Sequence, residues 1–275
     1  MEFNNKVCLI VGASGAIGSA VAEAFYHQGA RVALTHHAVK SSVPLLGLTP
    51  QDSRIAAFRL DARKWQEVQA VVAQTEGKFG PIEILVNCTG VLGPVGPAQE
   101  VSVEDWIRTI EVNLLGGFLL ARAVLPSMLA RGAGKIILFS GGGAAYGRPF
   151  FTAYSASKAA LVRFTESLAA EVADKNIQVN AIAPGPVKSR MWDELLVSGP
   201  AGGPQALAEL KKMQETGGVP AERAAALAVF LASSQSNRLT GRLISAVYDK
   251  WETLGQDTSK ALSGDAGTLR RVPLE

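Results

Sequence analysis

The chain has 275 residues, 48% hydrophobic and 19% charged, with 28 glycines and two cysteines. That length holds a full hydrophobic core without staples or a structural metal, which excludes disordered and disulfide-scaffold classes. The formal charge of +3 is spread along the chain, with no basic block to suggest a nucleic-acid face. Glu2 precedes the first short apolar run, unlike a secretory signal, and runs such as Ala224 to Ala232 fall far short of the ~20 residues that span a bilayer. A cytoplasmic protein without a membrane partner is expected, with Cys8 and Cys88 as buried thiols.

Short β-rich apolar runs alternate with longer segments of helical period. Val7 to Val11, Val32 to Thr35, Ile55 to Leu60, Ile82 to Asn87, Ile136 to Ser140, Ile177 to Ala183 and Leu243 to Val247 read as strands. Between them Ile17, Val21 and Phe25 make one helical stripe; Trp65, Val68 and Val72 make another; Leu161, Thr165, Leu168 and Val172 make a third. Strict alternation gives right-handed βαβ units: a doubly wound parallel sheet of about seven strands, with helices on both faces. Its strands are apolar throughout, as strands covered on both sides should be. Two stretches rich in glycine and proline, Ser41 to Ser53 and Pro186 to Gly218, read as loops. The second holds helical material from Ala206 to Gln214 between hinges, which suits a lid over a site.

The first strand runs directly into Gly12-Ala13-Ser14-Gly15-Ala16-Ile17-Gly18, which opens a helix. Such a turn lets backbone amides approach a pyrophosphate, and the helix N-terminus adds about half a positive charge. A dinucleotide is expected across it. No acid follows the second strand to bind a ribose 2′-hydroxyl; the strand ends Thr35-His36-His37-Ala38-Val39-Lys40-Ser41-Ser42. An anionic 2′-phosphate would be held by His37, Lys40 and the serines, so NADP(H) is favoured over NAD(H). The histidine pair is not read as a metal site, since consecutive strand residues point to opposite faces and no cysteine or carboxylate cluster joins them.

Tyr154-Ser155-Ala156-Ser157-Lys158 begins a helix, placing phenol and ammonium one turn apart on one face. A nearby positive charge should lower the phenol's pKa from about 10 and make Tyr154 an acid/base near neutral pH. With the glycine turn, the chain from Lys6 to about Val247 resembles the short-chain dehydrogenase/reductase family. The matching pieces stand in the family's order: Gly12 to Gly18, Asp61 and Ala62 after the third strand, and Asn87-Cys88-Thr89-Gly90. Then come Asn113 within Glu111-Val112-Asn113, the Tyr154/Lys158 pair, and the run Ile177 to Val187.

The resemblance implies a Rossmann-type, NAD(P)-binding catalytic domain over residues 1–250, acting as a carbonyl/alcohol oxidoreductase on a small-molecule substrate. It implies that Tyr154 exchanges a proton with the substrate oxygen, that Lys158 binds the nicotinamide ribose, and that Asn113, at a break in its helix, anchors a relay water. Asp61 would contact adenine, Pro184, Gly185 and Val187 would hold the nicotinamide face, and Ser189 would lie near the carboxamide. Family members assemble as tetramers or dimers through the helices carrying Asn113 and Tyr154, so a homo-oligomer is expected.

One departure bears on catalysis. The family's serine, thirteen residues before the tyrosine, is Gly141 here, with Ser140 beside it in Phe139-Ser140-Gly141-Gly142-Gly143. Ser140 is the expected stand-in; backbone amides of the glycine run and lost catalysis, which would leave a cofactor-binding protein, stay open. Phe150, Phe151, Met191, Trp192, Leu195 and Leu196 suggest an apolar pocket, with Arg148 and Arg190 as the nearby cations. Residues 251–275 read as a tail outside the core, with Trp251, Leu269 and Val272 able to dock on a neighbouring subunit.

Overall fold

The computed structural model describes residues 1–37, 52–254 and 264–272. Seven strands form one all-parallel sheet: β1 (Val7–Val11), β2 (Arg31–His36), β3 (Ile55–Arg59), β4 (Ile84–Asn87), β5 (Gly134–Phe139), β6 (Ile177–Ala183) and β7 (Leu243–Ser245). Their spatial order is β3-β2-β1-β4-β5-β6-β7. The expected number and sequence of strands are met, with ends displaced by one or two residues, the usual scatter of fraying termini.

Successive strand residues supply opposite layers. Cys8 and Ile10 of β1, with Ile137 and Phe139 of β5, pack toward α1 (Ala16–His27); Leu9, Ile136 and Leu138 pack toward α2 (Trp65–Phe79) on the other side. Next in the chain are α3 (Val103–Ile110), α4 (Gly116–Arg131) and α5 (Thr152–Glu171). A five-residue π-helical turn, Glu111–Leu115, joins α3 to α4. The stretch 103–131 is long and apolar enough to cross a membrane by length and composition alone. Here Leu120, Val124 and Met128 put one of its faces into the core.

The lid region corrects the sequence reading. Pro186 to Gly218 is mostly helical, with α6 (Arg190–Ser198) and α7 (Gly203–Thr216) joined by a 3₁₀ turn at Gly199–Gly202. Its prolines and glycines are terminators rather than breakers. Pro204 sits in the first turn of α7, where no N–H is needed, and Gly217 ends that helix with φ +75°. The next helix, α8 (Ala221–Ala232), packs on α1. The other expected loop, Ser41 to Ser53, falls almost wholly outside the described residues.

The tail also departs from expectation. Trp251 is buried on its own chain, its ring 5.8 Å from that of Phe230. Farther on, the Gly267 carbonyl accepts a 2.7 Å hydrogen bond from Leu243 N on the outer edge of β7. Leu269 packs with Ala144, Val162 and Leu243, and its amide donates to Glu166 Oε1 at 2.7 Å. Only Val272 of the three apolar tail residues faces solvent. A chain's own tail satisfies the edge with no search through solution, and a capped edge is protected from pairing with other chains. Deleting residues 264–275 is expected to cost ~1–2 kcal/mol, read as a fall in Tm of several degrees, without changing the subunit count in a mass measurement.

Candidate active site

The strand order reverses at β1, which has β2 on one side and β4 on the other, and ligands of open α/β sheets bind outside the carboxyl ends at such a point. Gly12, Asp61, Ser140 and Pro184 stand just beyond the carboxyl ends of strands, and Asn87 is the last residue of β4. One edge of the sheet therefore collects the motifs.

Gly12 has φ +80°, a conformation open mainly to glycine. A Cβ on Gly12 would lie 3.2 Å from the Cys88 and Thr89 backbone, and one on Gly18 would lie 2.2 Å from the Gly12 carbonyl oxygen. The turn and helix are thus pressed together by residues that only glycine can supply. Gly15 caps α1 without a side-chain bond, so the first-turn amides of Ala16, Ile17 and Gly18 have no intrahelical acceptor and form an anion-receiving end. Ser14 is exposed on this turn. The cradle fits a nucleotide pyrophosphate.

Around it, the Asn87 side-chain oxygen accepts from Thr89 N (3.1 Å) and Thr89 Oγ1 (2.6 Å), closing the turn that carries Cys88 and Gly90. Burial pushes the Cys88 thiol up, away from reactivity, against the pull of Lys158. Asp61 is held by Arg63 through Nε (2.9 Å) and Nη2 (2.7 Å). These hydrogen bonds lower its pKa to about 2, with burial opposing them and His37 adding to them. The Asp61 carboxylate is engaged within its own loop, while Ala62 packs against Gly116 at the start of α4. His37 is exposed at the end of β2; Lys40, Ser41 and Ser42 lie outside the described residues.

The catalytic candidates converge from three elements. Asn113, in the π-helical turn, donates through Nδ2 to the Val91 carbonyl and to Ser157 Oγ, both at 3.0 Å, and accepts from Val91 N at 2.8 Å. Lys158, on α5, donates from Nζ to the Phe139 carbonyl at 2.9 Å. A Cβ on Gly90 would lie 3.2 Å from Lys158 Nζ and 3.5 Å from Asn113 Oδ1, so Gly90 marks their meeting point. Burial brings the Lys158 ammonium down to about 8.

The phenol behaves otherwise than expected. Burial raises the Tyr154 pKa; Arg148, rather than Lys158, is the cation that draws it down, and Tyr146 raises it. Lys158 Nζ stands 5.9 Å from the ring centroid. The Ser140 hydroxyl turns onto the Lys158 carbonyl at 3.2 Å. A Cβ on Gly141 would lie 2.5 Å from Tyr154 Oη, so the tyrosine hydroxyl fills the space a side chain at 141 would take.

On the last strands, Gly185 (φ +82°) lies against Val247, Val187 is buried, and Ser189 caps α6. Leu195, Ala206 and Leu210 of the lid pack with Leu92, Phe151 and Tyr154, and Met191, Trp192 and Phe150 pack around them. Leu196 is exposed. Sequence reasoning missed Ser157 and the Phe139 carbonyl. Ser157 was accessible through helical spacing, three residues after Tyr154 on the buried face, whereas a main-chain acceptor carries no residue-type signal.

The short chain dehydrogenase family model matches residues 6–197. Among curated relatives, an NAD-dependent glycerol dehydrogenase of Listeria innocua is 35% identical over 244 residues, covering 87% of this chain and 92% of the relative. Among solved structures, an actinorhodin polyketide ketoreductase with NADPH superposes with a TM-score of 0.79 at 26% identity, covering 87% of this chain and 95% of that one. An NAD⁺-bound xylitol dehydrogenase gives 0.79 at 26% identity, covering 89% and 98%. With its Rossmann-type sheet and these matches, the chain belongs to the short-chain dehydrogenase/reductase family and is a nicotinamide-dependent oxidoreductase of alcohol and carbonyl groups on small molecules.

Proposed function

We propose that the protein interconverts a carbonyl and an alcohol on a small substrate with an apolar body, using Tyr154 as the acid/base and preferring NADP(H) to NAD(H). The observation that carries this reading is the meeting of Lys158 and Asn113 beside Gly90, with the Tyr154 hydroxyl over Gly141 and its ring centroid 5.9 Å from Lys158 Nζ, at the sheet edge that also holds the glycine cradle. The amides of residues 16–18 would hold the pyrophosphate. Residues 61–62 would flank the adenine, Lys158 and Gly90 the ribose, and Pro184 to Val187 with Ser189 the nicotinamide. When bound, that group supplies or accepts the hydride.

Tyr154 gives its Oη proton to a carbonyl oxygen, or takes the proton of an alcohol, within a pocket closed by Leu195, Ala206 and Leu210. Lys158 holds positive charge beneath the site, and the Asn113 amide fixes the Val91 backbone that lines it. We assign Ser140 a positioning role through the Lys158 carbonyl, and give the amides of Gly141 to Gly143 the task of steadying the reacting oxygen. The absence of an acid at the end of β2 and the exposed His37 support the NADP(H) preference. A groove lined by Trp106, Ile107, Leu114, Leu115, Phe118 and Phe164 on the outer face of α3–α5 supports a homo-oligomer through those helices. We place the protein in the cytoplasm. A second reading, nucleotide binding with little turnover, is favoured by the glycine at 141 and the raised Tyr154 phenol.

Nicotinamide absorbance followed with a panel of ketones and alcohols separates the two. Tyr154→Phe is expected to lower kcat/KM by about 10³-fold or more, whereas Ser140→Ala keeps at least about a tenth of it, and NADPH outperforms NADH in the same assay. Nucleotide-induced thermal stabilisation with no turnover on any compound would establish the second reading instead. Lys158 also has a stability signature. Its folded pKa of about 8 lies below the ordinary lysine value, so the unfolded chain binds more protons between about pH 8 and 10.5 and stability rises across that window. Lys158→Met should abolish turnover, raise stability at pH 7 by roughly 2 kcal/mol and flatten that rise, as measured by thermal unfolding at several pH values.

A further inference from the structure

Residues 61–65 run from beyond the end of β3 into α2, and Asp61 and Ala62 are the residues proposed to flank the adenine. Arg63 spreads its guanidinium between this segment and the π-helical turn. On one side its Nε and Nη2 donate to Asp61 Oδ1 and Oδ2 at 2.9 and 2.7 Å, and its own amide donates to Asp61 Oδ1 at 3.1 Å. On the other side its Nη1 stands 3.7 Å from Glu111 Oε2. Glu111 is the first residue of the π-helical turn, and Asn113 follows two positions later. Two further contacts join the same segments: a Cβ on Gly116 would meet that of Ala62 at 3.3 Å, and the Arg122 guanidinium carbon lies 4.7 Å from the centre of the Trp65 ring.

A π-helical turn is rare and holds one residue more than the α-helix around it, so its geometry has to be supported from outside. Glu111-Val112-Asn113-Leu114-Leu115 contains no glycine or proline to favour it. On the inner side Asn113 is tied to Val91 and Ser157; among the described residues Glu111 forms one ion pair, that with Arg63. A half-exposed pair of this kind adds little stability alone. Its consequence is geometric. The guanidinium is a rigid plane, so the two bonds from Asp61 fix the direction in which Nη1 points. The same bonds hold the Asp61 pKa at about 2, so this anchor keeps its charge at any working pH. We infer that Arg63 is a positioning residue that links the adenosine end of the nucleotide to the π-helical turn: adenosine against Asp61 and Ala62 fixes the guanidinium plane, and the plane, through Glu111, fixes Asn113. The inference rests on the nucleotide placement proposed above. It adds a route by which the end of the cofactor remote from the nicotinamide sets a residue of the catalytic group.

The test follows hydrogen–deuterium exchange of the full-length protein with ADP-ribose and with its 2′-phosphate, which carry the adenosine and the pyrophosphate but no nicotinamide. In the wild type at least one of the two is expected to slow exchange in the glycine turn, residues 13–18, and to slow the amides of residues 111–116 by about tenfold. Arg63→Lys keeps a cation without the fork, and Glu111→Gln removes the charge that the fork meets. Each should keep the protection at 13–18, which also reports that the variant is folded, and bring exchange at 111–116 to within about twofold of the nucleotide-free protein. Should one variant not fold, the other decides. Protection at 13–18 alone in the wild type, or protection at 111–116 that persists in either folded variant, would overturn the inference and leave the nucleotide reading standing. No protection at either place would remove both. None of these outcomes depends on turnover, so the result holds whichever substrate the enzyme takes.

Discussion

The hydrogen bond from Lys158 Nζ to the Phe139 carbonyl fixes the site to the sheet. Phe139 is the last residue of β5, so its carbonyl lies where the strand ladder stops, and a buried ammonium from α5 uses it. With the packing of Leu161 and Leu168 on the sheet, that contact holds α5 at the carboxyl edge, and with it Tyr154 one turn earlier. Ser140 reinforces the same joint from the next residue, through the Lys158 carbonyl. The cost is a charge held out of water, which no carboxylate offsets with an ion pair among the described residues. A fold that keeps such a group needs the surrounding core to be rigid, and the strands on both sides of β5 are buried along their length, with only Ala183 at the end of β6 half-buried.

Gly141, Gly142 and Gly143 show how the loop above this joint is filled. The space a Cβ would need at each is approached by a hydroxyl: Tyr154 Oη, Tyr146 Oη and Ser155 Oγ respectively. The run works as three vacated side-chain positions, which lets two phenols stand over one short segment of main chain. Phe150 completes the loop with φ +68°, unusual for a bulky residue, and its ring meets Gly203 at the start of α7. The start and middle of α7 are thus held by Phe150 and Arg148, on the segment that leads into α5.

The sheet was legible because its strands are continuous apolar runs, and the strict βαβ rhythm leaves one economical topology. Asn113 was legible only through resemblance; its helix carries no glycine or proline at the π-helical turn, so local propensity does not announce it. The lid was misread because Pro204 and Gly217 look like loop formers and act as helix ends. The phenol was misread for a different reason. Spacing on a helix says that Tyr154 and Lys158 share a face, but how deeply each is buried, and which other cation arrives, depends on parts of the chain far away in sequence. Arg148 reaches Glu209 across 61 positions, a distance no local pattern encodes.

The Gly267 carbonyl on the border of β7 has a meaning beyond holding the tail in place. An open sheet is a template whose outermost strands can recruit further strands, and a stack grows indefinitely only if both ends stay receptive. Here Gly267 and Leu269 occupy that border from within the same chain. Recruitment of a further strand there requires this segment to detach first, which ties resistance to lateral growth to the local stability of a few tail contacts.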